Sequence, residues 1–291
     1  MPGPSTTPAP DRFALLIGAM KAGTTALWSW LAQHPAIAPS RVKEPQFLCD
    51  KANWEGGIER YLQLWDWEPE RHRWAFEAST NYTKLPVREN AALAALRLPG
   101  TFRFLYMVRN PVRRLRSQYL HSLAEGWIQK PIHEGLTPQA VMFSNYRFQL
   151  EPYKVFHGRE SIRVLSYEDF RDDPRATVRA VCEFLEIDPD FPFRDPGRQN
   201  SSDAYRWKYL AKILQEQGVE LPCTDPEVLA RAEAELERRI TPSPEQVEEL
   251  RALLGPDLAL FAEEWGVDPW GKRRQPAGAL PAAQPTLFDV A

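Results

Sequence analysis

Three short apolar runs in this chain are each followed by a polar turn and then by residues with helical spacing. That alternation restricts the fold more than any other feature. The runs are residues 13–17 (FALLI), 102–108 (FRFLYMV) and 162–166 (IRVLS), with a weaker fourth at 74–77 (WAFE). Short, continuous apolar runs read as strands buried on both faces. In the stretches that follow, Leu27, Trp28 and Leu31 share a face of 24–33, and a second helix is expected over 112–123. In 176–185, Val178, Val181, Cys182 and Leu185 stand at i, i+3, i+4 and i+7. Ser243, Pro244 and Gln246 have the order of an N-cap, N1 and N3, so another helix begins there; Val247, Leu250 and Leu254 continue it and Gly255 is expected to stop it. Strands alternating with helices imply the α/β class: a central parallel sheet flanked by helices in three layers. Ligands of such sheets sit beyond the carboxyl ends of the strands, which is where the polar turns fall.

Composition narrows the partners. The 291 residues are 43% hydrophobic and 26% charged with a net charge of −3, which suits a soluble globular protein and argues against a nucleic-acid partner. No apolar run reaches the roughly 18 residues of a membrane span, and the N-terminus has no signal-like apolar stretch. Cys49, Cys182 and Cys223 are odd in number and widely spaced, which points to a reducing, cytoplasmic home. The 27 prolines are concentrated partly in the tails. Residues 1–11 and 273–291 are therefore read as flexible tails around one domain over 12–272. Five histidines show no metal-ligand spacing, so metal-independent chemistry is expected, and Cys182 reads as core. Nothing specifies an oligomeric state.

The first run leads into Gly18-Ala19-Met20-Lys21-Ala22-Gly23-Thr24-Thr25-Ala26 at the start of a helix. Such a turn offers backbone N–H groups and the positive helix end to an anion. Gly23 permits close approach, Thr24 and Thr25 add hydroxyls, and Lys21 adds charge; an ordinary strand–turn–helix with threonine caps is the plain alternative. A standard P-loop places lysine after its second glycine, whereas Lys21 precedes Gly23. The arrangement resembles the 5′-phosphosulfate loop of sulfotransferases that use 3′-phosphoadenosine 5′-phosphosulfate (PAPS). The resemblance implies a P-loop-NTPase-like fold and nucleotide contacts from Lys21, Ala22, Gly23, Thr24, Thr25 and Ala26.

The second run ends at Arg109-Asn110-Pro111, with Ser117 eight residues beyond Arg109. An Arg fork plus a hydroxyl suits a phosphate dianion, though Arg109 pairing with a surface carboxylate would look the same in sequence. The R-N-P-x-x-R-x-x-S pattern resembles the 3′-phosphate motif of the same family, about 90 residues after the first loop. Tyr167-Glu168-Asp169 resembles a segment whose tyrosine lies near the nucleotide, and a kinase would instead use Asp169 for Mg²⁺. Residues 197–205 (GRQNSSDAY) fall where the family closes over the nucleotide, with Arg198, Asn200 and Ser201 as polar candidates.

For the chemistry, Lys21 is the candidate to stabilise the leaving phosphate. Glu44 precedes Pro45, which biases it toward an extended conformation, and a base must reach the acceptor hydroxyl. A surface Glu beside Lys43 is the plain alternative. Lys43-Glu44-Pro45-Gln46-Phe47, residues 57–61 and residues 77–82 resemble the heparan-sulfate-type and bacterial branch, in which this glutamate is the base. Two departures stand out: Gln46 where histidine is common, and Ala78 where a lysine handling sulfate or acceptor is expected. Both weigh against a polyanionic polysaccharide.

The expected function is therefore sulfuryl transfer from PAPS, leaving the desulfated nucleotide PAP. The acceptor is a hydroxyl, or secondarily an amine, of an intracellular small molecule, lipid or glycoconjugate. Residues 46–70 and 120–155 would line its pocket, with Trp127 as a candidate. The rival readings are a Mg²⁺-dependent nucleoside-triphosphate kinase and a non-catalytic nucleotide-binding module.

Overall fold

A computed structural model describes residues 9–197 and 202–271. Arg198, Asn200, Ser201 and the tail expected from 273 lie outside the described residues. In chain order the elements are β1 Arg12–Gly18, α1 Thr24–Leu31, β2 Ile37–Pro39, α2 Gly57–Leu62, β3 Trp74–Ala78, α3 Ala91–Ala95, β4 Thr101–Val108 and α4 Pro111–Ala124. Then come α5 Ile132–Gly135, α6 Pro138–Met142, α7 Tyr146–His157, β5 Ile162–Ser166, α8 Tyr167–Asp172 and α9 Pro174–Phe184. The described chain ends with α10 Ser202–Glu216, α11 Pro226–Ile240 and α12 Pro244–Trp265.

The five strands form one all-parallel sheet in the order β2-β3-β1-β4-β5. β1 is central, and its residues 13–18 are all buried. The path from β1 to β2 runs one way across the sheet, and those from β3 to β4 and β4 to β5 run the other. Right-handed crossovers therefore put helices on opposite faces. α1 meets α9 on one face, while α3 and α12 meet α7 on the other. This is the three-layer, P-loop-NTPase-like arrangement expected from the alternation.

All four expected strands are present. β2 is an added three-residue edge strand, too short to give a periodic signal. The expected stop at Gly255 is corrected: α12 runs through Gly255 and Pro256 and ends at Gly266, in a left-handed conformation with φ 70°. Leu250, Leu254, Leu258 and Phe261 form one buried stripe across the break. Packing along that stripe outweighs the lost backbone bond at Pro256 and the low helix propensity of glycine. At the other end, Ser243 and Gln246 form the reciprocal capping box.

Two hydrophobic clusters share one helix. Leu115 of α4 belongs to the sheet core, whereas Tyr119, Leu120 and Leu123 belong to a second cluster with Tyr209, Ile213, Leu236 and Ile240 of α10 and α11. The carboxyl ends of β1, β3, β4 and β5 come out along one edge, since Leu16 pairs with Ala78, Gly18 with Tyr106 and Val108 with Ser166. The loops after them build the site.

Candidate active site

The loop after β1 is tied to the neighbouring strand by the Ala19 N–H, which donates to the Met107 carbonyl at 2.7 Å. It then tightens, with Ala22 N–H on the Ala19 carbonyl, and enters α1 through Lys21 and Gly23, at φ 64° and 88°. No side chain caps α1, and its first turn carries no acidic residue. The amides of Thr24, Thr25 and Ala26 thus belong to the unsatisfied turn that attracts anions. Glycine is needed at 23 for space as well as for φ: a Cβ there would lie 2.6 Å from Cδ2 of Tyr167. Tyr167, the first residue of α8, covers the loop.

Arg109 leaves the end of β4 and reaches across. Its Nη1 donates to the Lys21 carbonyl at 3.0 Å, its guanidinium lies 4.4 Å from the centre of the Tyr167 ring, and its Nε is buried without a partner. The Tyr146 hydroxyl donates to the Arg109 carbonyl at 2.6 Å. Asn110 caps α4 through the Arg113 N–H, and Pro111 occupies N1. Ser117 is half-buried about two turns into that helix. No direct hydrogen bond joins Ser117 to Arg109 among the described residues.

Glu44 arrives from the opposite side. Its N–H donates to the carbonyl of Ala78 at the end of β3. The extended conformation expected beside Pro45 is corrected: Glu44 has φ 60°, in the left-handed region. Tertiary bonds override the local bias, because the carboxylate Oε2 accepts from the Thr80 N–H at 2.7 Å and from its hydroxyl at 3.3 Å. Oε1 takes Lys43 Nζ at 2.9 Å. Thr80 is therefore the residue that aims Glu44, a role that its place after a strand did not reveal.

Lys21 is partly buried, with its ammonium 4.6 Å from the centre of the Tyr205 ring. Burial first, then the charges of Arg109, Lys43 and Lys84, lower its pKa to about 8. The Tyr205 ring in turn lies tilted against His121, with centres 4.4 Å apart, and His121 meets the exposed Trp127 at 5.0 Å. An aromatic row thus runs from the surface to Lys21. Lys84, also lowered to about 8 mainly by burial, is a further cation that the sequence reading missed. Cys182 is buried in α9. Among the described residues no group of three or more His, Cys, Asp or Glu side chains is placed to hold a metal ion. No described helix is long and apolar enough to cross a membrane.

Unpartnered first-turn amides, a half-buried guanidinium whose buried Nε is unused, and two lysines acting on one carboxylate make a donor set for a polyanion. The sequence profile of the sulfotransferase domain family matches residues 11–202, and the chain belongs to that family. The human bifunctional heparan sulfate N-deacetylase/N-sulfotransferase 2 is 26% identical over 199 residues, covering 60% of this chain and 22% of that protein. The N-deacetylase/N-sulfotransferase 1 of Caenorhabditis briggsae is 23% identical over 224 residues, covering 67% of this chain and 25% of that protein. The chain thus spans about a quarter of the length of these relatives. A solved sulfotransferase from Alicyclobacillus acidocaldarius shares the fold, with a TM-score of 0.63 at 22% identity over 91% of this chain and 100% of that one. Sulfuryl transfer is the chemistry of this enzyme class and PAPS its donor, so the kinase reading gives way.

Proposed function

We propose that residues 12–272 form one PAPS-dependent sulfotransferase domain. It acts on a hydroxyl, or secondarily an amine, of a small-molecule, lipid or glycoconjugate acceptor. The observation that carries this reading is the donor set at the strand ends: Arg109 crosses to the Lys21 carbonyl at 3.0 Å beside the uncapped start of α1, and Lys43, 2.9 Å from Glu44, lies within electrostatic reach of Lys21. Bound PAPS supplies the sulfuryl group and the leaving phosphate. The backbone of residues 22–26 with the hydroxyls of Thr24 and Thr25 holds the 5′ end, and Arg109 and Ser117 hold the 3′-phosphate. Tyr167 lies beside them, and Arg198 is assigned to the covering loop. Lys21 offsets the charge that develops on the leaving oxygen. Thr80 fixes Oε2 of Glu44, which leaves Oε1, shared with Lys43, to take the acceptor's proton. Ala78 and the net charge of −3 argue against a polyanionic polysaccharide acceptor. Three unpaired cysteines accord with a cytoplasmic setting.

Thermal unfolding with PAP in metal-free buffer, compared with ATP plus Mg²⁺, tests the donor. Ligand at a hundred times its Kd adds about 2.7 kcal/mol, a rise of several degrees with PAP alone. A rise only with ATP and Mg²⁺ overturns the reading. Turnover is then followed with radiolabelled PAPS over an acceptor panel. Lys21→Ala is expected to lower kcat by about 10²–10³, and Glu44→Gln by about 10²–10⁴ with PAP binding unchanged. Tight PAPS binding with no transfer to any acceptor would make the chain a non-catalytic binding module.

A further inference from the structure

Lys43 bonds the Glu44 carboxylate, Lys84 feels its charge, and the Lys21 ammonium lies within electrostatic reach of both lysines. Glu44 is satisfied by Lys43 on one oxygen and Thr80 on the other. The next residue, Asn81, is 7% exposed and serves a different partner. Its side-chain carbonyl accepts from Lys84 Nζ at 2.6 Å, and its amide donates to the side-chain oxygen of Gln46. Lys84 also lies 5.7 Å from the centre of the Phe143 ring. An ammonium has three N–H donors, and a half-buried one with a single neutral acceptor is short of compensation. Glu44 favours the charged form of Lys84, while Lys84 itself disfavours the charge on Lys21. The three groups therefore lie within electrostatic reach of one another, and Asn81, next to the Thr80 that holds Glu44, fixes Lys84 on the same side.

We propose that Lys84 is a second cation for the sulfuryl group, holding its non-bridging oxygens on the Glu44 side, with Asn81 and Gln46 aiming it. This rests on PAPS being the donor. In the transfer, the acceptor oxygen bonds to sulfur as the bond from sulfur to the bridging phosphate oxygen breaks. The acceptor's proton goes to Glu44, and the electron pair leaves with the phosphate beside Lys21. The sulfuryl oxygens stay negative throughout and would be repelled by Glu44; an ammonium fixed beside that carboxylate offsets the repulsion and keeps sulfur in line. Gln46 and Ala78, the two departures from the heparan-type pattern, fit this arrangement. Ala78 brings no lysine, and Gln46 secures the residue that holds Lys84.

PAP and PAPS differ only in the sulfuryl group, so their dissociation constants isolate it. Calorimetry at pH 7 is expected to show that Lys84→Met binds PAP within about twofold of wild type and PAPS about tenfold more weakly, the size of one charge-assisted contact. Lys84→Arg should recover part of the loss, and Asn81→Ala should lose PAPS selectively but less. If Lys84→Met fails to fold, Lys84→Gln, which keeps a donor for Asn81, gives the same comparison. Equal weakening of both nucleotides, or unchanged PAPS binding, overturns the proposal while leaving the donor reading intact. A wild-type protein that binds neither nucleotide overturns the donor reading and this proposal with it.

Discussion

Arg109 donates to the carbonyl of Lys21 at 3.0 Å, so the cation that ends β4 also braces the loop that ends β1. On the proposed reading, replacing it removes a phosphate ligand and a strut together. Arg109→Ala is expected to weaken PAP binding about a hundredfold or more, since hydrogen bonds to charged groups contribute about 1.5–3 kcal/mol each. Arg109→Lys should recover little, because a point charge cannot reach the carbonyl, stack on Tyr167 and fork onto a phosphate at once. Titration of PAP against both variants checks this; full recovery by lysine would show that only the charge matters.

Gly23 is the second sensitive point. Gly23→Ala places a methyl group 2.6 Å from the Tyr167 ring at a φ of 88°. The combined strain and overlap should cost about 1–3 kcal/mol of stability, read as a lowered urea midpoint, and should weaken PAP binding as the loop shifts. Tyr167→Ala in the same chain relieves the overlap but not the backbone strain, so stability should return only in part.

The lowered pKa of Lys21 sets a pH dependence. On the proposed reading the anionic nucleotide binds the protonated amine, which predominates below about pH 8 in the free protein. As pH rises through that value, binding must draw a proton from solvent. PAP affinity should then fall by up to about tenfold per pH unit for one linked proton. Lys21→Arg, which stays charged, should flatten the PAP profile between pH 7.5 and 9.5 (roughly the window in which one lysine of this kind titrates). A wild-type profile equally flat would remove Lys21 from the phosphate site.

Glu77 lies wholly buried in β3, and its pKa is raised to about 8, chiefly by burial. Phenol groups of Tyr82 and Tyr61 contact it, and its Oε2 has no partner. The folded state holds the proton that the unfolded chain releases near 4.5. Its contribution is therefore complete below about pH 4.5 and is lost as pH rises through about 8. Glu77→Gln removes that loss. The variant's urea midpoint relative to wild type should rise from pH 6 to pH 9; a constant difference would mean that Glu77 titrates in neither state over that range.

The sheet was readable because buried parallel strands are continuous apolar runs, and the two candidate nucleotide loops could be singled out because each is local in sequence. Gly18 to Ala26 and Arg109 to Ser117 each sit in one uninterrupted stretch. What escaped depends on distance along the chain. Thr80 meets Glu44 across 36 positions, and Tyr205 covers Lys21 from another helix. Lys84 carries no signal in its own segment, because the Asn81 that holds it is in turn bonded to Gln46, 35 positions away. Gly255 and Pro256 misled because their local preference is real but smaller than the packing of the stripe around them.

α4 begins just after Arg109 and ends inside the second cluster, among Tyr209, Ile213 and Leu236. It is an axle common to both clusters: it packs on α10, and α10 carries the Tyr205 ring that lies 4.6 Å from the Lys21 ammonium. The helical annex thereby borders the loop after β1. Loosening its packing, far from any bound group, should first be noticed as a change in how firmly Lys21 is covered.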